Sequence, residues 1–223
     1  MSEAVARDPR KARAIAELEV SLVENLPRER YHRITLVQGR CYAWRVYLTL
    51  VDSTTHGDAD TLAATHRAIA LCSMELGELD EAETNLRRAI TLNQQLAQPV
   101  EVLQERAALG RLMIRRGDTA TGIASLRLVR RELLQHGLTE EAGLCGLEVV
   151  EAMLIAGNAS AAVNLTRQIV GELVNAGVDE RAVAAVRRLQ EAFASGRVSP
   201  ELVSQVRESM AALQCRPERG ETE

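Results

Sequence analysis

The sequence has few aromatic residues and almost no lysine. Its 223 residues include one tryptophan, three tyrosines and one phenylalanine, whereas hydrophobic residues as a class make up 46%. Alanine, leucine and valine dominate the hydrophobic residues, and a core with so few aromatic side chains, which are enriched in strands, favours many helices over sheets. Lys11 is the single lysine and follows Arg10. A phosphate-binding P-loop is therefore excluded, because its lysine must follow a glycine.

Paired cysteines and long apolar runs are also missing. The four cysteines are too far apart for a zinc or redox C-x-x-C pair, and we expect them to be small buried residues in a reducing compartment. No run of 18 apolar residues occurs, and the basic start over residues 7–13 is followed by charged residues rather than by the apolar stretch of a signal peptide. We therefore expect a cytoplasmic protein that does not enter a membrane.

Motifs of catalysis and cofactor binding are absent. The four histidines show neither i, i+4 spacing nor an H-E-x-x-H frame. The acidic stretch 57–60 lacks the later ligands of a calcium-binding EF-hand loop, and Gly143–Gly146 is too short for a dinucleotide fingerprint. The formal net charge is -4, and only the first fifty residues are modestly basic, so nucleic acid is not the expected partner. We predict no enzymatic activity, no metal and no cofactor.

What the sequence does contain is an internal repeat of about forty residues. Gly77, Gly117, Gly157 and Gly196 follow one another at steps of 40, 40 and 39 residues. A second series, half a period out of phase, consists of Ala97, Gly137 and Gly177 at steps of 40. Glycine is favoured just after a helix end, where the backbone turns left-handed. Two interleaved series of helix ends predict two helices in each repeat.

The segments between these breakers have the spacing of amphipathic helices. Asp58, Thr139, Asp179 and Ser199, the last followed by a proline, are typical helix starts. We predict helices over 9–25, 29–52, 58–76, 79–96, 100–116, 119–135, 139–156, 159–175, 179–195 and 199–213. Gly39 either kinks or splits the second of these.

At the joints the sequence resembles tetratricopeptide repeats. Leu76-Gly77-Glu78-Leu79-Asp80-Glu81-Ala82, followed by Leu86 and Ala89, matches the turn and second helix of that family. Leu109-Gly110 and Met113 before Gly117 match its first helix, and Gly157 with Ala162 repeats the pattern more loosely. The period of 40 departs from the family's 34 residues, as in the extended arrays of bacterial regulatory proteins.

The resemblance implies an all-α, right-handed superhelix of antiparallel helix pairs, a TPR-like solenoid. We expect an N-terminal helical capping segment over 1–57, the repeats over 58–213 and a disordered tail over 214–223. In such a solenoid the first helices of the pairs line the concave side, where extended peptides or partner helices bind.

Carrying the family's concave positions over to this sequence gives a set of candidate binding residues. Arg111 and Arg115 are one helical turn apart, and with Arg67 they could clamp the carboxylates of an acidic partner. The alternative is that these arginines are solvated or paired with acidic residues of adjacent helices. The full candidate set comprises Arg67, Leu71, Met74, Gln104, Arg111, Ile114, Arg115, Glu151 and Leu154, with Gln190 and Phe193 in the last unit.

Aromatic residues form a second candidate region, because four of the five fall between residues 31 and 47. Trp44 is the candidate contact there, since tryptophan, tyrosine and arginine dominate interface energetics. The alternative is a capping helix that covers the open end of the solenoid.

The sequence thus predicts a bacterial protein-interaction module, an adaptor or regulatory scaffold that binds a protein or peptide. A ligand- or peptide-sensing part of a transcription regulator is the first alternative, and an enzyme with a site formed between repeats is the second. A homodimer through an exposed end of the array is also compatible with the sequence.

Overall fold

The structure is a computed structural model that describes residues 59–214. These residues form eight α-helices and no strand. The helices are α1 (Ala59–Leu76), α2 (Leu79–Gln95), α3 (Pro99–Arg115), α4 (Thr119–Gln135), α5 (Thr139–Ile155), α6 (Ala159–Asn175), α7 (Glu180–Ala194) and α8 (Pro200–Gln214). Each begins and ends within one residue of its predicted bounds. The predicted helices over 9–25 and 29–52, the capping segment and the tail from residue 215 lie outside the described residues.

The predicted breakers end the helices in the expected way. Gly77 has a φ of 80°, and the amide of the next residue, Glu78, donates to the carbonyl of Ser73 at 2.8 Å. The same pattern closes every joint between the described helices. At one of them Ala97 takes the left-handed conformation with a φ of 54°, which costs more than it would for glycine. The forty-residue spacing of the breakers is therefore a spacing of helix ends.

Helix starts follow the predicted signals in part. The Asp179 carboxylate accepts from the amide of Arg181 at 2.7 Å, and the Ser199 hydroxyl accepts from the amide of Leu202 at 3.3 Å. Thr139, a predicted helix start, is the first helical residue, and Leu138 is the cap. Leu138 offers no side-chain acceptor, so Glu140 and Glu141 in the first turn supply the favourable charge at that end.

The chain divides into two compact units, Met1–Leu112 and Met113–Glu223, and the division falls inside α3. In the described part of the first unit, α1 packs on α2. Its core contains the Leu and Ala positions that carry the family resemblance, and the cluster comprises Ala70, Met74, Ala82, Leu86, Ala108 and Leu112. A buried polar contact also joins the two helices, with His66 Nδ1 2.7 Å from the Asn85 side-chain oxygen.

The second unit contains α4 to α8. Each of these helices packs on the next, and α8 packs on α5 as well as on α7. The last four helices thus contact one another in a closed ring around a common core. Gly143 of α5 faces both α6 and α8, since a Cβ atom there would be 3.3 Å from the Leu173 side chain and 3.6 Å from the Met210 side chain. The return of α8 to α5 places two helices side by side that are distant in sequence.

Two of the four cysteines lie in the described residues. Cys72 and Cys145 are both buried, as expected. The Cys145 thiol donates to the carbonyl of Leu126 at 3.3 Å, which links α5 to α4.

Candidate binding surfaces

Arg67 of α1 is held by two residues of α3 in the first unit. Its guanidinium donates to the Gln104 side-chain oxygen, and Nη1 lies 3.7 Å from Glu105 Oε1. The Arg67 side chain is 36% exposed, whereas that of Glu105 is 1% exposed. Arg67 is therefore paired with an acidic residue of α3, as the alternative describes, and its role in partner binding stays a prediction.

Glu105 is a buried carboxylate with a second polar neighbour. The Asn93 side-chain amide donates to Glu105 Oε2 at 3.3 Å. Burial raises the pKa of Glu105 above its ordinary value of 4.5, and the nearby Arg67 guanidinium opposes that rise. Arg67 is thus the charge that compensates Glu105, which makes it a structural residue as well as a candidate contact.

The two apolar candidates of α1 differ in their surroundings. Leu71 is exposed on the surface of the first unit. Met74, in contrast, is only 4% exposed and packs in the core with Ala70 and Leu86. Met74 lies one turn after Ala70, on the face of α1 that packs against α2. The prediction that Met74 is a surface contact is therefore wrong, because its side chain is buried in the core.

The remaining candidates of α3 span the division between the units. Arg111 is half-buried in the first unit, whereas Ile114 is half-buried and Arg115 exposed in the second. Both arginines have interaction partners within the protein. Trp44 lies outside the described residues.

Glu151 of α5 belongs to an ion-pair cluster in the second unit. Arg207 of α8 lies with its Nη1 3.2 Å from Glu151 Oε2 and 3.8 Å from Glu148 Oε1. Burial raises the pKa of Glu151, Arg207 lowers it, and the carboxylates of Glu148, Glu201 and Glu208 raise it further. Leu154, the other candidate of α5, is half-buried. Glu151 therefore sits among charges that α8 brings to it.

A cleft opens beside this cluster, between the C-terminal end of α5 and the N-terminal half of α8. It encloses about 470 Å³. Ile155 lies at its α5 side and is 65% exposed, more than Leu71, Leu128 or Val174, the other exposed large hydrophobic residues of the described range. We call this the α5–α8 cleft, and its lining consists of Glu151, Ile155, Pro200, Glu201, Ser204, Gln205 and Glu208.

Sequence reasoning found one residue of this cleft, Glu151, and missed the others. Glu201 lies 50 residues after Glu151 in the chain, and no local spacing signals that α8 returns to α5. Ile155 is the last residue of its helix and does not lie on the buried face of that helix. An apolar residue outside the amphipathic pattern was the signal that could have indicated a surface contact.

A second, smaller groove lies between α6 and α7. It encloses about 230 Å³ and contains Gln190 and Phe193, both predicted as contacts of the last unit. Val163 and Arg167 of α6 line its opposite side. The structure thus brings the two predicted residues to one groove.

The described part of the chain contains neither a cluster of metal ligands nor a membrane-spanning helix. Between residues 59 and 214 there is no group of three or more histidine, cysteine or acidic side chains that could hold a metal ion. No helix in that range combines the length and apolar character needed to cross a membrane.

No protein-family model matches this sequence, and no curated protein matches it either. Its structure is similar to nearly identical TPR-like repeats from a candidate kinesin light chain of Podosopora anserina. The TM-score is 0.60 at 16% identity, over 94% of this chain and 99% of that one. A variant of those repeats gives 0.58 at 17% identity, over 97% and 100% of the two chains.

BtubC (BKLC) from P. vanneervenii is also similar, with a TM-score of 0.57 at 11% identity over 96% of this chain and 97% of that one. At these identities the likeness concerns the fold alone. The chain therefore has the TPR-like helical-repeat fold that its sequence predicts.

Proposed function

We propose that the protein is an interaction module, an adaptor or regulatory scaffold that binds a peptide or partner helix, and that it is not an enzyme. TPR-like folds generally mediate protein–protein interaction, and stacked helix pairs offer long grooves for this purpose. Cytoplasmic location, a bacterial source and homodimer formation remain predictions from the sequence.

The observation that carries the proposal is the α5–α8 cleft with Ile155 at its edge. An aliphatic side chain that is 65% exposed beside a concave surface offers a contact, because its burial on binding contributes favourable free energy. Glu151, a predicted contact residue, lines the same cleft. We therefore place the main binding site in the second unit.

The candidates of the first unit form a secondary proposal. Leu71 is exposed there, and Arg67 retains about a third of its side-chain surface for a partner. Because Arg67 already compensates Glu105, we propose only a minor share in binding for Arg67, Leu71 and Gln104. The predicted preference for an acidic partner depended on Arg67 acting together with Arg111 and Arg115. Because Arg67 already pairs with Glu105, we expect that preference to be weaker.

The proposal is tested by affinity capture from a lysate of the source organism with three forms of the full chain: wild type, Ile155→Ser and Val174→Ser. Val174 is the matched control, since it is an exposed β-branched residue of α6 outside the cleft. We expect a protein that wild type and Val174→Ser retain and Ile155→Ser loses. Equal retention by all three forms would contradict the placement of the site, and the absence of any retained protein would contradict the function.

A further inference from the structure

The α5–α8 cleft carries an excess of negative charge. Three carboxylates line it, those of Glu151, Glu201 and Glu208. Arg207 lies nearby, but its guanidinium is directed at Glu148 and Glu151 of α5. Glu201 and Glu208 of α8 remain exposed to solvent. The open side of the cleft is therefore acidic, which opposes an acidic partner and favours a basic one.

The exposed carboxylates have a defined spacing. Glu201 and Glu208 are seven residues apart on α8, so they lie on one face two helical turns apart, at about 10 Å for a rise of 1.5 Å per residue. Ser204 and Gln205 lie between them and also line the cleft. Glu201 accepts hydrogen bonds from the Ser199 hydroxyl and from its own backbone amide, which lowers the pKa of Glu201 and keeps it ionised. The face thus presents two exposed carboxylates with neutral polar groups between them.

Two apolar residues also line the cleft. Ile155 lies on the α5 side next to Glu151, and Pro200 lies at the start of α8. A partner must therefore match two requirements at once: positive charges spaced by two turns, and an aliphatic side chain that can bury Ile155. A helix meets both if it carries arginine or lysine at positions i and i+7 and a leucine between them, because these positions share one face.

We propose that the α5–α8 cleft binds a basic amphipathic helix of a partner protein, whose cationic side chains pair with Glu201 and Glu208 and whose aliphatic side chain packs on Ile155. This inference depends on the proposed function, since it names the chemical class of partner for the same site.

The test uses fluorescence polarisation with the full chain and three labelled, alanine-rich helical peptides of equal length. The first has arginines at i and i+7 with a leucine at i+4, the second replaces both arginines by glutamate, and the third replaces the leucine by serine. We expect the first peptide to bind, the second not to bind, and the third to bind several-fold more weakly. Binding of the first peptide should also weaken with increasing salt, because the ion pairs are at the surface.

Two protein variants locate the binding. Glu201→Gln with Glu208→Gln removes the paired carboxylates, and we expect it to weaken binding of the arginine peptide about tenfold, as for the loss of two ion pairs at a surface. Glu180→Gln with Glu191→Gln is the matched control, since it makes the same charge change at two exposed positions of α7. The control should bind as wild type does, and circular dichroism should show that both variants are folded.

Each of three results would overturn the inference. The first is equal weakening of binding by the control and by the cleft variant, because that would mean attraction by overall charge. The second is equal binding of the glutamate peptide and the arginine peptide. Absence of binding by the arginine peptide would also overturn it. Suppose that the arginine peptide does not bind, but that wild type retains a lysate protein which Ile155→Ser does not retain. The proposed function then stands, and only the basic class of partner is wrong.

Discussion

The two units of the chain each contain a deeply buried charge, but of opposite sign. In the first unit the carboxylate of Glu105 is 1% exposed and its partner Arg67 is 36% exposed. In the second unit the guanidinium of Arg130 is 8% exposed and its partner Glu172 is 22% exposed. In both pairs one member lies in the interior and the other retains contact with water.

The difference lies in what each buried charge can do when its partner is lost. A buried carboxyl can take up a proton and become neutral, at a cost set by the pH. A guanidinium stays protonated at every accessible pH, so it has no such route. The buried charge of the first unit can therefore be neutralised when its partner is lost, whereas that of the second unit cannot.

The largest effect is expected from Glu172→Ala. It leaves Arg130 buried without its carboxylate, and we expect a loss of about 3 kcal/mol in the free energy of unfolding. The loss should be the same at pH 5 and pH 8, since the guanidinium cannot release its proton. Urea unfolding followed by circular dichroism measures it, with Glu191→Ala on the exposed surface of α7 as the control. A loss below about 0.5 kcal/mol, the range of ordinary surface substitutions, would show that Arg130 needs no partner.

The next effect concerns the space that Arg130 occupies. A Cβ atom at Gly146 of α5 would lie 2.9 Å from Arg130 Nε and 2.7 Å from Ile169 Cδ1. Gly146→Ala should therefore cost about 1 to 3 kcal/mol through overpacking, despite the better helix propensity of alanine. Gly171→Ala on α6 is the control, because nothing lies within 4 Å of a Cβ atom there, and it should stabilise by about 0.5 to 1 kcal/mol. Stabilisation by both substitutions in thermal unfolding would mean that the close approach does not constrain α5.

A smaller loss is expected from Arg67→Ala in the first unit. We expect about 1 kcal/mol at pH 7, because Glu105 loses the charge that lowers its pKa and becomes neutral more readily. The loss should shrink towards pH 4.5, where Glu105 is protonated in the variant at little cost. Unfolding curves at several pH values measure this. A loss independent of pH, like that of Glu172→Ala, would remove the distinction between the units.

The smallest effect is expected from Glu105→Gln. Burial raises the pKa of Glu105 in the folded chain above 4.5, so the folded state binds more protons than the unfolded state in the interval between the two pKa values. The contribution of this group to stability is therefore present below about pH 4.5 and falls as the pH rises through the folded pKa. The Glu105→Gln variant has no carboxyl to ionise at this position, so its stability does not fall in this way. The difference between its melting temperature and that of wild type should therefore shift in favour of the variant as the pH increases. Parallel profiles of melting temperature against pH would contradict this.

The helices could be predicted to within one residue because their ends depend on local chemistry. Gly77 and its repeats mark left-handed joints, and Asp179 and Ser199 satisfy backbone amides at helix starts. These signals act over a few residues and are visible in any one repeat. The family resemblance at Gly77 to Ala89 added the pairing of the helices.

The binding surface was less predictable because it depends on contacts between distant segments. The partner of Arg67 is 38 residues away, and only the structure shows that it is Glu105 rather than an external ligand. Met74 has the spacing of a surface position in the family but packs in the core. The α5–α8 cleft arises from the return of α8 to α5, for which the sequence contains no local pattern.

The most direct test of the proposed function is site-specific photo-crosslinking in cells of the source organism. Benzoylphenylalanine replaces Ile155 in the cleft in one form of the chain and Val174 on the surface of α6 in the other. A cleft that binds a partner protein predicts a discrete crosslinked product from position 155 and none from position 174. Products of equal yield from both positions, or none from position 155, would contradict the assignment of the cleft as the binding site.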